Sequence, residues 1–295
     1  MNKTISVKAY AKLNLFLEIT GKRDDGYHLL RSVMQSISLY DVLRFEFTEG
    51  NDVKLLSNDE NMPLDKKNLV WKAIDAFYRS VDVQRMGVSV YIQKNIPSMA
   101  GMAGGSSDAA ASLVALNELY GKPLTSGELC EIGATLGADV PFCIVGGTVL
   151  CEGVGDILTK LDDIPDCCFA VAKPDIGIST PEAYKLFDNM TITDKPNYKG
   201  FKAGLVSGDI KKIADNLYNS LEIACNLDEI NEIKSRFVDF GALNSMMTGS
   251  GSAVFGIFKD IDKAEYAISQ FDDIPFTGVF KPVNKGVEII SYDFE

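Results

Sequence analysis

The chain has 295 residues, more than one comfortable core and about right for two domains of ordinary size. Its 46% hydrophobic and 24% charged residues are the balance of a soluble globular protein, and its longest apolar runs, such as Val140–Val145, fall far short of the roughly 20 residues a membrane span needs. A net charge of −12, from 41 acidic and 29 basic residues, argues against a nucleic-acid partner while leaving room for a small anion at a local positive site.

In chain order, "MNKTISVKAYAKLNLF" has no apolar segment followed by a small-residue cleavage site, so a cytoplasmic protein is expected. "KLNLFLEIT" alternates Leu13, Leu15, Leu17 and Ile19 at the period of a half-buried strand and runs into the turn-rich "GKRDDG". Asn68 to Val81 places Leu69, Ala73, Ala76 and Phe77 at helical spacing. "VSVYIQKNI" is a strand that leads directly into "PSMAGMAGGSSDAA", after which Ser107 to Tyr120 reads as a helix ended by Gly121 and Pro123. Thr125 and Glu128 have capping-box spacing ahead of a helix that stops at Gly137. Beyond the acidic connector Leu158–Asp166 come the strand "CCFAVAKP", helices opened by Ser179 with Pro181 and Glu182, two strands around "TGSGS", a helix and a strand. That order is the ferredoxin-like split βαβ unit, and it sets a domain boundary, giving domains 1–160 and 161–295. The six cysteines show no C-x-x-C spacing and are expected as reduced thiols, while a single histidine excludes a multi-His metal site.

The small-residue stretch between strand and helix has two physical readings. A helix N-terminus leaves backbone N–H groups unpaired and carries partial positive charge, so Gly and Ala there let a phosphate chain approach closely. The other reading is a tight crossing of two elements, with small residues present for packing. No Lys follows these glycines, which rules out the Walker A loop. The Rossmann fingerprint fails too, because "GSGSAV" has Val254 in place of its third glycine and sits between two strands.

"PSMAGMAGGSSDAA" resembles the glycine-rich ATP loop of the GHMP kinases, usually P-x-x-x-G-L-G-G/A-S-S/A-A. "AYAKLNLFLEITGKRDDGYHLLRSVMQSISLYD" resembles their N-terminal motif, and "MMTGSGSAVFGIF" their C-terminal glycine loop, so the likeness spans nearly the whole chain. Within that superfamily, "AKLNLFLEITGKRDDGYH" and "GADVPFCIVGGTVLCEGVGD" are similar to the 4-diphosphocytidyl-2-C-methylerythritol kinases. The departures are modest: Met102 for a usual Leu, Ala103 for a Gly, and Cys151 and Asp156 in the second segment. Ala103 carries a methyl group where the pattern has a glycine hydrogen, and this matters only if that position has positive φ.

The resemblance implies an α+β, two-domain GHMP kinase fold, with an N-terminal ribosomal-protein-S5-like ATP-binding domain and a C-terminal ferredoxin-like βαββαβ domain. It implies transfer of the ATP γ-phosphoryl group to the 2-hydroxyl of 4-diphosphocytidyl-2-C-methylerythritol, with Mg²⁺ accompanying ATP. Asp139 is then expected to take or orient the acceptor proton, and Lys12 to hold Asp139 ionised and stabilise the phosphoryl group. Pro97, Gly101, Ala103, Gly104, Gly105, Ser106 and Ser107 are assigned to ATP, with Asn68 and Lys94 as further nucleotide candidates. For Lys94 an ordinary strand-end lysine is the equal alternative. Tyr27 and Tyr184 would sandwich the cytosine while His28 reads its edge. Asn14, Thr180, Gly249, Ser250 and Gly251 are assigned to the substrate, Thr180 alternatively to a helix cap. The metal ligands stay open between Asp108, Ser106 and the phosphates with water. The partner is a small molecule bearing a cytidine diphosphate group, with no nucleic acid and no membrane, and the chain is expected as a monomer or homodimer. The rival readings are a homoserine- or mevalonate-type kinase of the superfamily and a non-catalytic nucleotide-binding sensor.

Overall fold

The computed structural model describes residues 3–190 and 195–294 of the chain. From the N-terminus come β1 (Lys3–Lys22), β2 (His28–Thr48), β3 (Val53–Ser57), α1 (Leu69–Ser80), β4 (Gly87–Gln93), α2 (Gly104–Leu119), α3 (Ser126–Leu136), α4 (Val140–Val145), β5 (Thr148–Gly153) and β6 (Ile157–Lys160). There follow β7 (Cys168–Lys173), α5 (Thr180–Asp188), α6 (Tyr198–Ser207), α7 (Ile210–Ala214), β8 (Tyr218–Asn219), α8 (Ser220–Cys225) and α9 (Asp228–Asp239). The chain ends with β9 (Ser245–Met247), β10 (Val254–Phe258), α10 (Ile261–Ile268), β11 (Phe276–Phe280) and β12 (Val287–Phe294).

Capping chemistry sets several of these boundaries. Thr125 and Glu128 form the reciprocal capping box at the start of α3, and Ser179 accepts from Glu182 N–H at the start of α5. Asn68 caps α1, accepting Val70 N–H at 2.8 Å. The helix expected from Ser107 begins three residues earlier, at Gly104. Its cap, Ala103, stands at φ +60°, the left-handed conformation that costs an alanine and not a glycine. The position therefore does use positive φ, and the departure from the family pattern at Ala103 carries strain.

Two sheets organise the chain. The first has the path β12-β1-β2-β4-β3, with β5 on β2, β6 on β5 and β8 on β1. The second has the order β11-β7-β10-β9. Counted within the C-terminal half, that is 4-1-3-2, the split βαβ arrangement with α9 and α10 as its crossovers. The sheets change over in the connector between β6 and β7. The C-terminal half does not keep to itself, however: β12 returns to pair with the first residues of β1, and β8 pairs with Phe16 and Leu17.

One core lies between the first sheet and α1–α4, joining Val7, Phe45 and Val90 to Phe77, Leu113 and Leu116. A second fills the gap between lobes, where Leu13, Leu15 and Phe16 of β1 meet Phe169, Phe201 and Phe255. A third, around Ile230, Phe237 and Phe271, covers the other face of the second sheet. α2 is the central helix of the first core; Ala109, Ala110 and Ala111 are all fully buried. The small-residue stretch thus divides between the two readings given above. Its later alanines serve close packing, and its glycines lie at the surface of a cleft.

Candidate active site

The cleft, about 1110 Å³, opens between the lobes. All of the expected site residues border it except Asn68 and Ser107. Asn68 is buried, and its amide is spent on the α1 cap and on the Pro63 carbonyl. Ser107 is turned inward: its hydroxyl donates to the Tyr10 carbonyl at 2.8 Å and its N–H closes the first helical bond to Ala103. Both side chains thus have partners inside the protein and stand back from the cleft. An Asn at the head of a helical pattern is a cap signal already present in the sequence. Ser107 carried no comparable signal, because a stretch of uniformly small residues has no apolar period to orient it.

At the start of α2, Gly104, Gly105 and Ser106 line the cleft, and no side chain caps Ala103. These first-turn N–H groups lack intrahelical acceptors, which makes them donors for an anion. The loop before them is held by the C-terminal glycine loop. Ala253 N–H donates to the Ala100 carbonyl at 3.2 Å, and a Cβ at Gly101, whose φ is +70°, would lie 2.1 Å from the Thr248 carbonyl oxygen. Lys94 borders the same end, but its ammonium is bound by Asp41 and, at 2.7 Å, by Asp108. Burial pushes the Asp108 carboxyl up to about 7 against the pull of Lys94, with Asp41 adding to the rise. Asp108 is enclosed and does not border the cleft, so it does not fit a metal ligand; Ser106 remains. Among the described residues no group of three His, Cys, Asp or Glu side chains is placed to hold a metal ion.

The middle of the cleft holds Lys12 and Asp139. Register shifts in the β1–β2 ladder flank Lys12 and Asn14, and such bulges re-aim backbone and side chains. Lys12 N–H leaves the ladder for the Met102 carbonyl at 3.2 Å, and Asn14 N–H goes to Thr248 Oγ1 at 2.9 Å. Lys12 Nζ lies 2.5 Å from Asn14 Oδ1 and 3.7 Å from Asp139 Oδ2. Asp139 precedes α4 but makes no side-chain cap, which leaves its carboxylate to the cleft. Asn14 was expected on the substrate; its amide is instead used internally, by Lys12 on one side and Ser32 Oγ on the other. Gly249, at φ +57°, brings its backbone against this group, since a Cβ there would lie 3.2 Å from both Lys12 Nζ and Asn14 Oδ1. Asn219 fixes that approach by donating to the carbonyls of Met247 and Gly249 at 2.8 and 2.9 Å. Sequence reasoning missed Asn219, Ser32 and Thr248. Only Thr248, next to the glycines of "TGSGS", had a local signal.

The far end carries aromatic rings. Tyr27 is exposed at the tip of the β1–β2 hairpin, and His28 stacks on Tyr184 of α5 with centroids 4.7 Å apart. His28 Nε2 also meets Asp188 Oδ1 at 2.7 Å, while Lys22 Nζ meets Asp188 Oδ2 at 2.6 Å. Lys22 and Asp188, neither expected, thus tie α5 to the hairpin. The expected sandwich is altered: with His28 already on Tyr184, a base must displace that contact or use the opposite face of Tyr184. Burial, with the nearby Asp139 charge, pushes the Tyr184 phenol up to about 12, so it stays a neutral ring. Thr180 Oγ1 and Ser250 Oγ join α5 to the glycine loop at 3.0 Å. All six cysteines are free, and burial pushes the Cys143 thiol beside Ser107 up to about 12, which leaves no activated thiol there.

The sequence matches the GHMP kinases N terminal domain over residues 68–147 and the GHMP kinases C terminal domain over 201–274. It is 44% identical to the 4-diphosphocytidyl-2-C-methyl-D-erythritol kinase of Clostridium tetani, covering 88% of this chain and 93% of that protein. Against the Clostridium novyi enzyme of the same name, identity is 43% with coverages of 92% and 98%. Among solved structures, a crystal structure of 4-(cytidine 5'-diphospho)-2C-methyl-D-erythritol kinase superposes with TM-score 0.79 at 30% identity, covering 94% of this chain and 99% of that one. A homoserine kinase from Cytophaga hutchinsonii reaches the same TM-score, 0.79, at 20% identity and 97% coverage of both chains, which shows a shared fold alone. The chain therefore belongs to the GHMP kinases and, within them, to the 4-diphosphocytidyl-2-C-methyl-D-erythritol kinase family, and it is a small-molecule kinase.

Proposed function

We propose that the protein transfers the γ-phosphoryl group of ATP to the 2-hydroxyl of 4-diphosphocytidyl-2-C-methyl-D-erythritol, giving the 2-phosphate and ADP for isoprenoid precursor synthesis by the methylerythritol phosphate route. The observation that carries this reading is the order of groups along one cleft: open helix N–H donors, then Lys12 and Asp139 at 3.7 Å, then aromatic rings. The ATP phosphates lie against Gly104, Gly105 and Ser106, with Pro97, Gly101 and Ala103 shaping the approach. Asp139 accepts the proton of the acceptor hydroxyl as its oxygen bonds to the γ-phosphorus and the bond to the ADP oxygen breaks. Lys12 faces Asp139 across 3.7 Å and meets the negative charge on the transferring group. Gly249, Ser250, Gly251 and Thr180 close the site over the acceptor, whose cytosine stacks with Tyr27 and Tyr184 and meets His28 at its edge. Ser106 and the ATP phosphates would hold Mg²⁺, which when bound would supply neutralising charge at the phosphates.

All of these groups come from one chain, so the site is complete in a single copy, as a monomer or homodimer requires. No helix among the described residues is long and apolar enough to cross a membrane, and the cytoplasm is the compartment this reading assigns. ADP release with MgATP is the test, using diphosphocytidyl-methylerythritol, homoserine and mevalonate separately as acceptors. Turnover with the first alone is expected. Turnover with another would remove the base-binding roles of Tyr27, His28 and Tyr184, and no turnover with any would favour a nucleotide-binding sensor.

A further inference from the structure

The Lys12 ammonium is presented to the cleft by a chain of buried hydrogen bonds that runs in one direction. The Ser32 hydroxyl donates across the β1–β2 ladder to the Phe16 carbonyl at 2.9 Å. With its proton committed, the Ser32 oxygen has lone pairs alone to offer, and it accepts from Asn14 Nδ2 at 2.9 Å. That decides which end of the Asn14 amide faces which way, and its oxygen is left toward Lys12 Nζ at 2.5 Å. Ser32, Asn14 and Lys12 are 0%, 1% and 3% exposed, so water does not supply a substitute partner.

We infer that Ser32 is a positioning residue for phosphoryl transfer, acting through Asn14 to set the Lys12 ammonium beside Asp139. The inference rests on the proposed role of Lys12. Its physics is the sign of one contact. An ammonium has three donors and no acceptor, so it is held by Asn14 Oδ1 and repelled by Nδ2. Thr248 Oγ1, 3.4 Å from Asn14 Oδ1, both donates and accepts, and so does not choose between the amide ends. Ser32 does choose, because its proton is taken by Phe16. Without that hydroxyl, the buried Nδ2 loses its acceptor, the amide is held from the Lys12 side alone, and the Lys12 ammonium loses its fixed place.

Thr and Val have the same shape and differ by the hydroxyl, so Ser32→Thr and Ser32→Val separate the hydrogen bond from packing. Steady-state kinetics with MgATP and 4-diphosphocytidyl-2-C-methyl-D-erythritol are compared with those of Lys12→Met. Ser32→Val is expected to lower kcat by roughly tenfold or more with both KM values within about twofold, since small misplacements of a catalytic group cost rates of this order. Ser32→Thr is expected to restore most of kcat. Equal losses in both variants, or a loss confined to KM, would make Ser32 a packing residue and overturn the inference. So would an unchanged kcat in Ser32→Val while Lys12→Met is inactive. If Lys12→Met keeps its kcat, the reading of Lys12 itself is what fails. Should neither branched side chain fold, Ser32→Ala decides by the same kcat-against-KM split.

Discussion

At the catalytic end of the cleft, Lys12, Asn14, Ser32 and Thr248 are each at most 3% exposed and bonded to one another. At the hairpin end, Tyr27 is 66% exposed, and α5 is tied to the hairpin by a part-exposed Lys22–Asp188 ion pair and a His28–Asp188 hydrogen bond. The difference is one of what each contact costs to break. A buried polar group left without a partner forfeits its solvation, so the catalytic network holds a single arrangement. Exposed ion pairs are screened and contribute little, so on the proposed reading the Lys22–Asp188 contact would give way to an incoming base at small cost. On the proposed reading, the chemistry sits in the more tightly bonded part of the cleft and acceptor recognition in the more exposed part.

The sharpest way to break that contrast is at the catalytic end. Asp139→Asn is expected to reduce kcat by about 10²–10⁴-fold, the usual range for a general base, while MgATP binding measured by calorimetry stays as in the parent. Retained turnover would remove Asp139 from the reaction. At the acceptor end, Tyr27→Ala should raise KM for the cytidine-bearing acceptor by about tenfold, in line with the loss of one base-stacking ring, and leave KM for MgATP alone. An unchanged acceptor KM would mean that the base lies elsewhere.

A pH test probes an incomplete part of the interior: among the described residues, Asp108 Oδ1 is buried without a hydrogen-bond partner. Because burial raises this carboxyl from 3.8 to about 7, the folded chain binds more protons than the unfolded chain between those values. Stability from this group therefore falls as pH rises through that window. Asp108→Asn removes the dependence, so its melting temperature relative to the parent should rise between pH 4 and pH 8. A constant difference across that range would show that the charge is compensated elsewhere.

The smallest effect concerns the phosphate loop. Ala103→Gly relieves a left-handed alanine, worth about 1–2 kcal/mol, against a chain-entropy cost of about 0.5–1 kcal/mol. A stabilisation of about 0–1.5 kcal/mol is expected in denaturant titrations. A clear loss would mean that the Ala103 methyl contributes packing that exceeds the strain.

The strand from Leu13 to Ile19, helices α1 and α3, the caps at Thr125 and Ser179 and the split βαβ unit were legible in the sequence, and Lys12 and Asp139 were candidates through the family resemblance, whereas the long strand β2 and the strands β3, β5, β6 and β12 were not legible. Each reading follows from signals a few residues long, or from motifs whose residues stand close together in the chain. The fate of individual side chains was not legible in the same way. Ser107 looks inward because Tyr10, 97 positions away, presents a carbonyl there. Lys94 is taken by Asp41, and His28 by Asp188 from the other lobe. The end of the chain returns to β1, so the C-terminal half contributes to both sheets. By itself the sequence determined those elements whose period and caps act over short range, and the chemistry on offer. Only the tertiary structure decided which of those groups face the cleft and which are consumed inside, because a polar side chain goes wherever packing brings it a partner.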